Sequence, residues 1–167
     1  MKFENNIEII VSDFDGVFTD GKIEVFSDGS TSKKMDYKDI MAIALILRKD
    51  IKFAIISGEK SAAIDKLKDN FPQIEVFQGE RKKINVFKAL LEKHNIKPEN
   101  SIYIGDDIND IECLSYTLNP VTVQNAHKTV KELPNITITE NIGGNGAFRE
   151  VADSVLWKIS SSKLYKK

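Results

Sequence analysis

Three observations predict an α/β fold built on a mainly parallel central sheet with helices on both faces. Short apolar runs alternate with stretches of helical periodicity along the chain. The runs are nearly continuous, as strands covered on both faces require. Polar residues stand just past the ends of three of them, at Asp13, Ser57 and Asp106, where sheets of this kind bind ligands.

The elements follow in order. Ile7-Glu8-Ile9-Ile10-Val11 reads as a buried strand ending at Ser12-Asp13. Lys22 to Phe26 and Thr31 to Tyr37 flank Ser27-Asp28-Gly29-Ser30, and Asp-Gly between strand-like runs predicts a hairpin. Asp39 is placed to cap a helix through Ile40, Ile43, Leu45 and Leu47. Lys52 to Ile56 is the next strand, and Ala62, Ala63, Ile64 and Leu67 follow at helical spacing before Pro72. Ile74 to Phe77 is a third core strand. Ile84, Phe87, Leu90 and Leu91 mark a helix closed by Asn95 and Pro98. Ser101 to Ile104 is a fourth core strand, ending at Gly105-Asp106-Asp107. A short helix follows, then strands near Val121 and at Ile136 to Thr139. The last helix carries Phe148, Val151, Ala152, Val155, Leu156 and Ile159 as one apolar stripe. No repeat or linker interrupts the pattern, so residues 1–167 read as a single domain.

Composition narrows the function. The chain is 41% hydrophobic and 29% charged with a formal net charge of −1, which gives no reason to expect a nucleic-acid partner. Lys163, Lys166 and Lys167 read as a solvated basic tail. The one cysteine, Cys113, forms no disulfide within the chain and reads as a small buried hydrophobe. His94 and His127 lack partners at zinc spacing. No apolar run approaches the roughly 18 residues of a membrane span, and Met1 to Asn6 has no apolar signal core. A cytoplasmic enzyme without a membrane partner is the expectation.

The chemistry concentrates in three places. In Asp13-Phe14-Asp15-Gly16-Val17-Phe18-Thr19, two acids spaced i and i+2 at a strand end can face one pocket. Asp13 comes first and suits a nucleophile, provided a divalent cation polarises its target. Asp15 is placed to protonate a leaving alkoxide and later to deprotonate water. Gly16 permits a tight turn. In Gly105-Asp106-Asp107-Ile108-Asn109-Asp110, clustered acids repel one another without a cation. Asp13 and Asp106, with a backbone carbonyl from Asp15, compose a sparse magnesium site. Asp110 either braces that site or answers the positive end of the next helix, and Asp107 supports it. Ser57 can donate a hydroxyl hydrogen bond to phosphate, and Lys83, within Arg81-Lys82-Lys83, can offset charge on a transferring phosphoryl group.

These pieces, in this order, resemble the haloacid dehalogenase superfamily of phosphohydrolases. Asp13 and Asp15 match its first motif, Ser57 with Gly58 the second, Lys83 the third, and Asp106 with Asp110 the fourth. The resemblance implies a Rossmann-like three-layer sandwich, Mg2+ and an aspartyl-phosphate intermediate. Only a hairpin and one helix separate the first two motifs, which leaves no room for a cap domain. Asp13 to Gly21, Gln78-Gly79 and Gly143 to Glu150 resemble the capless branch containing 3-deoxy-D-manno-octulosonate 8-phosphate phosphatase. That branch implies a homotetramer in which a neighbouring subunit closes the site, giving the hairpin and the Gly143–Gly146 loop a purpose. The plain alternative for the loop is a flexible lead into the last helix.

The chain departs from that branch in two places. Tyr37-Lys38-Asp39-Ile40 replaces Arg-Asp-Gly, and Ser57-Gly58-Glu59-Lys60 replaces Thr-Gly-Arg. Glu59-Lys60 is closer to relatives acting on nine-carbon keto-deoxy sugar acid 9-phosphates. Lys38-Asp39 and Glu112-Cys113-Leu114 resemble the phosphatase-like C-terminal domain of some acylneuraminate cytidylyltransferases. The resemblance therefore implies a C8 or C9 sugar acid phosphate substrate, with C9 slightly ahead and with Thr19, Lys38, Glu59 and Lys60 as substrate contacts. Three other readings compete: a non-catalytic oligomerisation module, a phosphoacceptor receiver domain, and a phosphatase for another small ester. The first conflicts with the intact acids, and the second with an Asp-x-Asp-Gly motif that ends the first strand.

Overall fold

The computed structural model describes residues 1, 3 and 6–164, with side chains of the last helix described as far as residue 157. Lys166 and Lys167 of the basic tail, and Lys2, Glu4 and Asn5 near the start, lie outside the described residues; so do the side chains of Ile159 and Lys163. In chain order the first elements are β1 (Ile9–Ser12), β2 (Glu24–Val25), β3 (Thr31–Ser32), α1 (Tyr37–Leu47), β4 (Lys52–Ser57) and α2 (Ala62–Asn70). Then come β5 (Glu75–Gln78), α3 (Lys83–His94), β6 (Ser101–Ile104), α4 (Ile111–Tyr116), β7 (Asn119–Thr122), α5 (Lys128–Lys131), β8 (Thr137–Ile138) and α6 (Ala147–Leu164).

Among the described residues, six strands form one wholly parallel sheet in the order β5-β4-β1-β6-β7-β8. Successive side chains on a strand point to opposite faces, so each strand feeds two cores. Ile10, Ile55, Ile102 and Ile104 meet α1, α2 and α6 on one face. Ile9, Val11, Ala54, Ile56 and Tyr103 meet α3, α4 and α5 on the other. These are the three layers of a Rossmann-like fold. On the first face, Phe18 and Phe148 pack with ring centroids 4.7 Å apart, and Phe53 and Phe148 at 4.9 Å. That aromatic cluster clamps the loop after β1 against α6.

The hairpin forms, as Asp28-Gly29 predicts, but β2 and β3 hold only two residues each and stand apart from the main sheet. Tyr37 begins α1 instead of ending a strand, because Asp36 caps the helix there: its Oδ1 accepts from the Lys38 amide at 2.8 Å. Asp36, not Asp39, is therefore the cap. Asp39 is buried and serves a different helix. Its Oδ2 accepts from the Gly146 amide at 3.1 Å and its Oδ1 from the Arg149 amide at 2.8 Å. It thus satisfies amides at the N-terminal end of α6, across the α1–α6 contact. Burial pushes its carboxyl up to about 6, against the pull of those two amides. The single-turn α5, led by His127, is too short to show periodicity in the sequence. Among the described residues no helix is long and apolar enough to cross a membrane.

Replacing Asp39 with alanine strands one buried and one part-buried amide. Asp39→Ala is expected to lower unfolding free energy by about 1–3 kcal/mol, and Asp39→Asn, which keeps one acceptor, by less. Denaturant melts of the three proteins check the order.

Candidate active site

The strand order fixes where a site can form. The chain leaves β1 for β4 on one side and later places β6 on the other, so a crevice opens at the carboxyl ends of β1 and β6. Asp13 and Asp106 stand at its two lips. The Asp13 amide donates to the Ile104 carbonyl at 2.8 Å, carrying the β1–β6 ladder one step past the strand.

Lys83 reaches this crevice from the start of α3. Its Nζ lies 2.9 Å from Asp13 Oδ2 and 2.9 Å from Asp110 Oδ1, and all three side chains are buried. Asp110 Oδ1 also accepts from the Tyr103 hydroxyl at 2.9 Å. Asp110 Oδ2 accepts from the amides of Asp106 at 3.2 Å and Asp107 at 3.4 Å. Asp110 therefore touches both the Lys83 ammonium and the amides that lead into the next turn, so the two roles the sequence leaves open for it coexist in its contacts. Asp107 is exposed, and its Oδ1 accepts from the Ile108 amide at 2.7 Å at the start of the next turn. Asp13 Oδ1 accepts from the Phe14 amide at 2.7 Å.

The electrostatics of this cluster are unbalanced. Burial, then the charge of Asp110, push the Asp13 carboxyl up to about 8 against the pull of Lys83. Burial, then Asp110 and Asp107, push Asp106 up to about 7. Burial also opposes the charge on Lys83, but Asp110 and Asp13 outweigh it and hold the ammonium above its ordinary value. Asp13, Asp106 and Asp110 bring one oxygen each within 4.8 Å of one another. With all three carboxylates ionised, the group around the one ammonium would carry a net charge of −2, which a divalent cation would cancel. An all-oxygen donor set suits a hard ion such as magnesium. Asp110 is fully buried, with its oxygens turned to Lys83, Tyr103 and two loop amides, whereas Asp13 and Asp106 stand at the lips of the crevice, so these two are the donors that fit.

The remaining predicted residues surround this centre. Ser57 is buried at the end of β4, beside the loop after β1, and its Oγ accepts from the Glu59 amide at 3.2 Å. Gly58 faces the Asn109 side chain across from it. Asp15 is part-buried, and its Oδ1 lies 2.7 Å from Lys33 Nζ on the segment leaving β3. Thr19 is buried, and its Oγ1 accepts from the amides of Gly16 and Gly21 at 3.2 Å each, a place inside the loop. Glu59 and Lys60 are exposed just past Ser57. Lys38 is set apart. It lines an open depression with Asn145, Gly146, Arg149 and Trp157, and neither Asp13, Ser57, Lys83 nor Asp106 lines it.

Glycines let the loops approach one another. A Cβ on Gly16, whose φ is +83°, would stand 1.9 Å from Asp106 Oδ2. A Cβ on Gly143 would stand 1.6 Å from the Gly16 carbonyl oxygen, and the Gly144 amide donates to the Val17 carbonyl at 2.8 Å. The Gly143–Gly146 loop is therefore packed against the Asp13–Gly21 loop and is not a loose lead into α6.

The sequence reading missed Tyr103 and Lys33. The first was findable, since a tyrosine inside a buried strand needs a hydroxyl partner. Lys33 carries no local signal beside Lys34. Cys113 meets expectation: it is buried, and burial pushes its thiol up to about 12.

Residues 61–149 match the model of the haloacid dehalogenase-like hydrolases. The chain is 35% identical over 152 residues to 3-deoxy-D-manno-octulosonate 8-phosphate phosphatase KdsC of Escherichia coli K12, covering 90% of this chain and 80% of that protein. The same enzyme of Yersinia pestis is 32% identical over the same share. Its counterpart from Moraxella catarrhalis, solved with magnesium, phosphate and KDO, superposes with a TM-score of 0.85 at 27% identity, covering 95% of this chain and 93% of that one. A cobalt-bound phosphatase from Haemophilus influenzae gives 0.86 at 27% identity, covering 97% and 94%.

The chain thus belongs to the haloacid dehalogenase-like hydrolases. It is a phosphatase of the capless octulosonate 8-phosphate phosphatase-like branch.

The Gly16–Asp106 contact offers a direct check. Gly16→Ala must displace Asp106 or the Asp13 loop, and a shift of about 1 Å can cost about a hundredfold in rate. Steady-state phosphatase assays should show at least that loss while far-UV circular dichroism is unchanged.

Proposed function

We propose that the chain hydrolyses the phosphomonoester of a 2-keto-3-deoxy sugar acid, octulosonate 8-phosphate, through an aspartyl-phosphate on Asp13. The observation that carries the chemistry is Lys83, buried between Asp13 and Asp110 at 2.9 Å from each. The substrate rests on the 35% identity to KdsC across 90% of the chain.

A carboxylate oxygen of Asp13 attacks phosphorus as the bond to the sugar oxygen breaks. Asp15 protonates the departing alkoxide. A water then attacks the phosphorus of the aspartyl-phosphate, Asp15 takes its proton, and phosphate leaves with Asp13 restored. Lys83 offsets charge on the phosphoryl oxygens, and the Ser57 hydroxyl and Gly58 amide donate to them. Asp13, Asp106 and the Asp15 carbonyl would hold magnesium, which supplies the positive charge that lets a phosphate dianion approach a carboxylate. Asp110 keeps Lys83 in place, and Asp107 steadies the loop.

Residues 1–167 act as one domain in this reading. Ile23, Val25 and Phe26 of the hairpin are exposed apolar residues that the neighbouring subunits of a homotetramer would cover. Exposed Glu59-Lys60, just beyond Ser57, favours a second substrate, a C9 acid 9-phosphate, because an acceptor replaces an arginine clamp there.

Phosphate release from octulosonate 8-phosphate, C9 keto-deoxy sugar acid 9-phosphates and simple sugar phosphates tests the proposal. One sugar acid should lead by about a hundredfold in kcat/KM, roughly 2.7 kcal/mol, and chelation should abolish turnover until magnesium is restored. A folded, magnesium-loaded protein without turnover would favour the assembly module. Asp13→Asn should fall to background in the same assay with Tm retained. Lys83→Ala should lose activity and also about 3–5 kcal/mol of stability, since it leaves buried carboxylates unpaired.

A further inference from the structure

We propose that Lys33 is a positioning residue for Asp15 and that the β2–β3 hairpin works as its support. The inference rests on Asp15 being the acid/base of the reading above. Lys33 Nζ lies 2.7 Å from Asp15 Oδ1, with side-chain exposures of 18% and 31%. The same ammonium stands 6.0 Å from the centroid of Phe14, a fully buried ring anchored in the core.

A carboxylate that must reach a leaving oxygen, and later a water, needs one orientation held throughout. The loop after β1 does not supply it. Asp13 is held by Lys83 and the Phe14 amide, and Thr19 by Gly16 and Gly21, but the Asp15 carboxylate is held by Lys33. Lys33 is itself placed by the hairpin. Glu24 pairs with Ser32 and Val25 with Thr31, and the Ser32 hydroxyl donates to Glu24 Oε2 at 3.1 Å. Lys33 follows directly. A two-stranded ribbon outside the main sheet is thereby tied to the reacting carboxylate.

The consequence is a dependence on the leaving group. Protonation matters for an alkyl phosphate, whose alkoxide is a poor leaving group, and little for p-nitrophenyl phosphate, whose phenolate departs unaided. kcat/KM reports the steps through departure of the leaving group.

The experiment measures kcat/KM for both esters with magnesium, in the wild type, Lys33→Met, Lys33→Arg and Asp15→Asn, with melts in parallel. Methionine keeps the stem over Phe14 and removes the ammonium. Lys33→Met should lose about tenfold more on the sugar phosphate than on the aryl phosphate, Lys33→Arg should regain most of it, and Tm should hold. Equal losses on both esters, with a raised KM, would make Lys33 a substrate contact and overturn the inference. A leaving-group effect in Asp15→Asn but none in Lys33→Met would overturn it alone. Absence of the effect in both would overturn it together with the acid/base role of Asp15.

Discussion

The structure of the site depends on one ammonium group. Lys83 is the first residue of α3, where the helix dipole disfavours a cation, and Lys82 before it makes no side-chain cap. Local preference argues against a helix starting Lys82-Lys83. The conflict resolves only through Asp13 and Asp110, which meet the ammonium from the ends of two other elements. Overriding a local rule in this way is what a functional site is expected to do. Lys83 thereby joins the loop after β1, the loop after β6 and a helix from the opposite layer.

Around that centre, close packing replaces bulk. Gly16 lets the first loop touch Asp106, and Gly143 lets the loop before α6 touch Gly16. Asp39 then holds the start of α6 from α1. The loop that carries Asp13 is thus pressed between an acidic loop and a glycine loop, with Phe14 and Phe18 buried beneath it. None of these contacts touches phosphate, yet each limits how far Asp13 can move.

Much of this was legible in the sequence. The core strands reveal themselves because parallel strands are apolar on both faces, and Asp13, Ser57 and Asp106 declare themselves because polar residues follow apolar runs. Asp36 and Asp39 show the limit. Both are acids near a helix start, and only the burial of Asp39 against α6 reveals that it serves a helix more than a hundred residues away. Lys33 was illegible for a similar reason: its partner, Asp15, lies 18 positions earlier. Pattern reports neighbours on one element well and partners across elements poorly. The hairpin's shortness was likewise hidden, since Thr31 to Tyr37 continues to look extended until Asp36 caps α1.

The parallel order of the sheet also governs when the enzyme becomes an enzyme. β1 lies at the middle of the sheet, yet its two neighbours are β4 and β6, and the latter spans Ser101–Ile104. A ribosome releases the strand that leads to Asp13 well before the strand and acids that complete its crevice, with β4, α2 and α3 made in between. The amides that Asp39 accepts from, at Gly146 and Arg149, emerge later still. Between the making of β4 and of β6, β1 has one neighbour in place and one apolar edge open. A chain made only that far is a candidate for chaperone capture, and the crevice is complete only once β6 and Asp106 have been made.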